Sequence, residues 1–188
     1  MPKNQFLTEL TALGEISENL EIFLTSRLQI DFFKKKAILY KQGSNLQKMY
    51  YIISGLVIGN TFLEERQHTC WFLKENDFIL DLHSFTYGEP ARQTAIAAED
   101  CVVLYLSYQD AKTMFEVYPE ANFIGRKINA MYYCHSNKRT ELMMLLKTAD
   151  RYKKFEKEFK WALGRVKLGY VASYLNMTSE ALSRVRRG

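Results

Sequence analysis

The sequence predicts an α+β fold in three parts: an antiparallel β-sandwich or barrel, one long helix, and a C-terminal pair of short helices. Three observations carry that prediction. Between residues 30 and 106, short apolar runs are separated by turn residues at roughly ten-residue spacing, the rhythm of antiparallel strands. After Ser107 the strand signals stop, and a helical recurrence runs from about Glu120 to Leu146. The last residues then repeat a short helical stripe twice, with an interruption between the copies.

Composition bounds the reading. A chain of 188 residues, 47% hydrophobic, can bury a substantial core in one large domain or two modest ones. No apolar run approaches the length that spans a bilayer, and Met1-Pro-Lys-Asn lacks a signal-peptide core, so a cytoplasmic protein with no membrane partner is expected. Cys70, Cys101 and Cys134 are odd in number and scattered, which argues for reduced thiols over a disulfide framework or a metal cluster.

Each element has its own signal. Leu7, Leu10, Leu13, Ile16, Leu20, Phe23 and Leu24 recur at helical spacing, with a break near Gly14. Strands are expected at 37–40, 49–53, 56–62, 69–73, 94–97 and 101–106, bounded by turns such as Gln42-Gly-Ser-Asn and Ser54-Gly. Tyr108 to Tyr118 reads as a short helix stopped by Pro119. In the long helix, Ile124, Ile128, Met131, His135, Lys138, Leu142 and Leu145 alternate spacings of four and three, a coiled-coil seam with two polar interruptions. A homodimer axis is the expectation, with packing of the helix on its own β domain as the alternative.

The C-terminal segment is the most informative. Leu168, Val171, Ala172 and Leu175 form one apolar stripe, and Asn176-Met177-Thr178 breaks it. Asn suits a left-handed backbone, and Thr178 is a suitable N-cap. The next helix buries Ala181, Leu182 and Val185 and presents Ser179, Glu180, Ser183, Arg184, Arg186 and Arg187. That is the design of a DNA-binding helix-turn-helix. Charge agrees: residues 151–188 hold ten basic and three acidic side chains, on a body that is slightly acidic. The alternative is a solvated helix face on a small-molecule receptor or interaction module.

Phe33-Lys-Lys-Lys-Ala-Ile-Leu-Tyr-Lys-Gln-Gly43, Met49-Tyr-Tyr-Ile-Ile-Ser-Gly55, Asn76-Asp-Phe-Ile79 and Val171-Ala-Ser-Tyr-Leu-Asn-Met-Thr-Ser-Glu-Ala-Leu-Ser-Arg184 together resemble the bacterial cyclic-AMP receptor protein/Fnr family of transcription regulators. The resemblance runs from about Leu20 to Arg187. It implies a cyclic-nucleotide-binding-like β-roll over 1–118, a dimerisation helix over 119–147 and a helix-turn-helix domain over 148–188. It implies as partners a second copy of the chain, double-stranded DNA carrying an inverted repeat, and RNA polymerase. The family's base readers map onto Ser179, Glu180 and Arg184; Arg can donate two bonds to guanine, and Glu can accept from cytosine. Ser183, Arg186, Arg187 and Lys167 are placed for phosphates. The sequence ends at Gly188, so the wing hairpin of many relatives is expected to be absent.

Relatives that bind cyclic AMP carry a Gly-Glu-Leu turn, followed about ten residues later by an Arg-Ser/Thr pair that holds the phosphate. Leu80 stands at the Gly position, Asp81 at the Glu position and Leu82 at the Leu position. Ala91 stands at the Arg position, with Arg92, Gln93 and Thr94 after it. A one-residue slip in a strand turns a side chain to the other face, and Leu in place of Gly crowds the approach of a phosphate. The expectation is a vestigial effector pocket at Leu80, Asp81, Leu82, Arg92, Gln93 and Thr94, with no cyclic nucleotide or other cofactor. His68, His83 and His135 are too dispersed for a metal set, which also disfavours a cupin-type enzyme. Phosphate-binding glycine loops and nucleophile elbows are missing, so no catalysis is expected.

Overall fold

Strand alternation sorts the apolar side chains into separate cores, and the sorting explains the architecture. A computed structural model describes residues 2–64 and 66–187. Helices α1 (Pro2–Leu13) and α2 (Glu18–Arg27) precede strands β1 (Gln29–Phe33), β2 (Ile38–Tyr40), β3 (Lys48–Ser54), β4 (Val57–Leu63), β5 (Arg66–Leu73) and β6 (Phe78–Ile79). A short helix α3 (Leu82–Tyr87) leads to β7 (Thr94–Ala97) and β8 (Cys101–Ser107). Then come α4 (Tyr108–Val117), α5 (Pro119–Met144), α6 (Thr148–Glu158), α7 (Leu168–Tyr174) and α8 (Ser179–Arg187). The strands form two antiparallel sheets, ordered β1-β8-β3-β6 and β2-β7-β4-β5. This is the β-roll, long helix and C-terminal helical module that the sequence predicts.

On β3, Tyr50 and Ile52 face the interior of the roll, while Met49, Tyr51 and Ile53 face the other way, as the period of two requires. Tyr51 pairs with Leu104 and Ile52 with Val103, so β8 repeats the partition. The outer face of this sheet is covered by α1, α2, α4 and the first turns of α5, with Leu20, Leu24, Met114 and Ile124 in that core. On β4 and β5, Val57, Trp71 and Leu73 point inward; Leu56, Ile58 and Phe72 point outward onto Phe155, Val171 and Tyr174 of the C-terminal module. Much of β3, β4 and β8 is therefore buried on both faces, which is why these strands read as near-continuous apolar runs.

Two strands were not expected as separate elements. β1 and β6 are short or half-exposed, and their apolar residues alternate with Asp31 and Asp77. α6 lay in the basic stretch after the long helix; its apolar positions, Tyr152 and Phe155, are few but buried. Pro119 both ends α4 and opens α5, where its missing N–H has no acceptor to satisfy.

Candidate nucleic-acid interface

The turn between α7 and α8 is built as its residues dictate. Asn176 adopts φ 50°, the left-handed conformation that Asn tolerates better than most side chains. Met177 N–H donates to the Ala172 carbonyl and Leu175 N–H to that of Val171. Thr178 Oγ1 accepts the Ala181 N–H at 3.1 Å, an N-cap for α8. Arg151, on α6, donates to the open carbonyls of Leu175 and Asn176 and, through Nε, to Leu145 at 2.7 Å. One guanidinium thus satisfies orphan acceptors at the ends of two helices.

Leu182 is fully buried against α6 and α7, which leaves the opposite side of α8 to solvent. Ser179, Glu180, Ser183, Arg184 and Arg187 line one shallow concavity on that side. Glu180, in the first turn, is held below the usual carboxylate range by its own backbone N–H, by the Thr178 hydroxyl and by Arg184. Arg186 is exposed but outside the concavity. Lys167 is also exposed, yet it stands at the start of α7 beside Gln67, Thr69 and Ser173, at the junction with β5.

That junction fixes the module on the roll. Ser173 Oγ accepts the Thr69 N–H at 2.9 Å and donates to the Gln67 carbonyl, so it completes the hydrogen bonding of the sheet's edge strand. Arg139 of α5 donates to the carbonyls of Thr69 and Tyr174 and lies over the Tyr174 ring. Arg165, in the loop before α7, makes paired bonds to both Glu75 and Glu99 of the roll. Reading along the chain missed these contacts, because no local spacing links residues so far apart.

The residues expected to form the effector pocket are engaged with one another. Asp81 is the N-cap of α3: Oδ1 accepts the Ser84 N–H and Oδ2 the Arg92 N–H at 2.8 Å. The Arg92 side chain bonds His83 on the surface, and Thr94 Oγ1 accepts the Gln42 N–H. Leu80 packs into the roll core and Leu82 is exposed. Gln93 accepts the Trp71 indole N–H, and the Trp71 ring lies on Gly59 so closely that a Cβ there would sit 1.9 Å from it. Trp71 was not singled out in the sequence, where it reads only as one more apolar strand residue. Ala91, at the family's Arg position, is buried.

The seam residues divide. Ile124 is 3% exposed within the core under α1 and α2, and Leu142 is fully buried against the C-terminal module. Neither can face a second subunit as expected, because their turns of α5 are covered by other parts of the same chain. Met131, His135 and Lys138 are exposed; Ile128 and Leu145 are half-buried. Tyr132, one residue from Met131, anchors a neighbouring face of α5 by accepting the Phe78 N–H at 2.7 Å. Burial pushes its phenol well above the usual range.

Comparisons with known proteins agree with this arrangement. Residues 30–118 match the family model of the cyclic nucleotide-binding domain. The cAMP-activated global transcriptional regulators CRP of Salmonella typhimurium and Klebsiella aerogenes are each 30% identical over 102 residues, 54% of this chain. The match spans about half, 48%, of the length of those relatives. Among solved structures, FixK2 of Bradyrhizobium japonicum superposes with a TM-score of 0.72 at 18% identity, covering 85% of this chain and 83% of that one. The c-di-GMP-responsive regulator CLP of Xanthomonas campestris gives 0.73 at 15% identity, covering 91% and 90%. A Crp/Fnr-family protein from Eubacterium rectale gives 0.77 at 16% identity, covering 92% and 82%. Identities this low establish a shared fold alone. Residues 30–118 thus match a cyclic nucleotide-binding domain, and nearly the whole chain shares its fold with a solved protein of the Crp/Fnr family.

Proposed function

We propose that the chain is a homodimeric, sequence-specific DNA-binding regulator whose sensor domain does not bind cyclic AMP. The observation that carries the reading is the outer face of α8: Ser179, Glu180, Ser183, Arg184 and Arg187 share one exposed concavity, on a helix whose other side is locked to the module. Arg184 and Glu180 supply base-edge chemistry; Ser183, Arg187 and Arg186 supply phosphate contacts. Exposed Met131, His135 and Lys138 give α5 a free stripe for a second copy, and a two-fold dimer reads an inverted repeat. RNA polymerase is the further partner that the resemblance to the Crp/Fnr family suggests.

Three features support loss of cyclic-nucleotide binding. No cation stands at position 91, the Asp81 carboxylate is spent on two backbone N–H groups, and Trp71 packs half-buried against the roll core with its indole N–H on Gln93. A phosphate would meet an unneutralised pocket at a heavy desolvation cost. Selection of the purified protein against a random duplex library, with and without cyclic AMP, tests both parts. An enriched inverted repeat, identical in the two conditions, is the expected result. Enrichment only with cyclic AMP overturns the sensor reading; no enrichment in either condition overturns the DNA-binding reading.

A further inference from the structure

One cavity lies outside the roll interior. It encloses about 500 Å³ between the outer face of the first sheet, the N-terminal helices, α3 and the start of α5. Its walls are apolar: Leu24, Met49, Phe78, Leu82, Phe115 and Ile128 contribute from different elements. A chamber of this size is in the range that holds a small molecule. Its mouth differs from its walls. Arg126 and Asn129, both exposed on α5, stand there with Thr86 of α3, and among the described residues Arg126 forms no ion pair. The guanidinium rests near the Phe123 ring, 5.3 Å from its centre, with its donors free.

An apolar chamber closed by one cation and amide groups is complementary to an amphipathic molecule with an anionic head. We propose that this cavity binds a medium-chain alkyl carboxylate, the chain in the chamber and the carboxylate on Arg126. The site is separate from the roll interior, where Trp71 and Asp81 sit, and from the concavity of α8. Its occupant touches α3, the N-terminal helices and α5 together. Binding itself is independent of DNA recognition; its use as an effector signal rests on the regulator reading.

The test uses the full-length chain and sodium decanoate, with 1-decanol as the uncharged control. Both compete with a fluorescent anilinonaphthalene sulfonate. Decanoate is expected to bind once per chain, and about tenfold more tightly than decanol, the worth of one charge-assisted contact. Arg126→Ala should remove that difference by weakening decanoate alone. Thr86→Trp, at an exposed position that leaves the core untouched, should plug the mouth and weaken both. Absence of decanoate binding overturns the proposal, as does binding indifferent to Thr86→Trp. Sedimentation run alongside covers the remaining occupant: if decanoate binds only monomers and is expelled on dimerisation, the cavity belongs to a second copy of the chain and the proposal fails. None of these readouts involves DNA, so a failed library selection and a failed ligand assay are told apart.

Discussion

Arg165 and Glu75 stand ninety positions apart and meet in a paired ion bridge, Nη2 to Oε1 at 2.7 Å and Nη1 to Oε2 at 3.1 Å. The same guanidinium bonds both oxygens of Glu99. Glu75 also accepts the Gly55 N–H. The bridge joins the loop before α7 to two turns of the roll, so it ties the position of the C-terminal module to the β-roll.

Removing the bridge should loosen that docking. All three side chains keep about a third of their exposure, so solvent screens the pairs and the expected cost of Arg165→Ala is modest, about 1–2 kcal/mol. Denaturant unfolding of the variant measures it. The pH dependence has a definite sign. Bonding to Arg165 holds the Glu75 carboxyl down to about 2, against an ordinary value near 4.5. A depressed folded-state value contributes stability that is complete above about 4.5 and is lost as pH falls toward about 2. The acid loss of stability over that window should be smaller in Glu75→Gln.

Arg184→Ala should lower affinity for a selected inverted repeat by about 1–3 kcal/mol per half-site and leave random duplex nearly unaffected. Equal losses on both sequences, measured by titration at one salt concentration, reject base reading by Arg184. Arg186→Ala and Lys167→Ala are the phosphate-type controls: each should reduce affinity for all sequences alike and flatten the salt dependence by roughly one unit.

Met131→Asp should convert the protein to monomers, since Met131 is half-exposed at the centre of the free stripe of α5 and anchors nothing inside its own subunit's buried cores. Sedimentation reports the mass, and an unchanged value removes this stripe as the dimer axis. Ile128→Asp is a poorer probe, because Ile128 also packs against the N-terminal core and its loss unfolds as well as dissociates.

Gly59→Ala should destabilise the roll by more than ~1 kcal/mol, because its Cβ would meet Trp71 ring atoms at 1.9 Å and 2.4 Å. In a Trp71→Ala background the same change should cost far less, and the difference measures the coupling between the two strands. Additive effects in the cycle would falsify the account of Trp71 as the side chain that requires glycine at position 59.

The sequence by itself determined whatever rests on local physics. The strands at 49–53, 94–97 and 101–106, the break near Gly14, the helix stopped by Pro119, the left-handed Asn176 and the Thr178 cap depend on neighbours a few residues away, and all are where periodicity and turn chemistry put them. The exposed face of α8 was legible for the same reason: once Leu182 points inward, the helical period places Arg184 and Glu180 outward. Only the tertiary structure decided which apolar residues of α5 are spent inside the subunit, since Ile124 and Met131 carry the same local signal and differ in what covers them. It also decided that Trp71 packs against Gly59 and the roll core, that Asp81 caps a helix, and that Arg165 reaches Glu75. Those are choices among partners distant in sequence. They are settled by how sheet faces and helix ends meet in space, and a residue's type and spacing do not encode them.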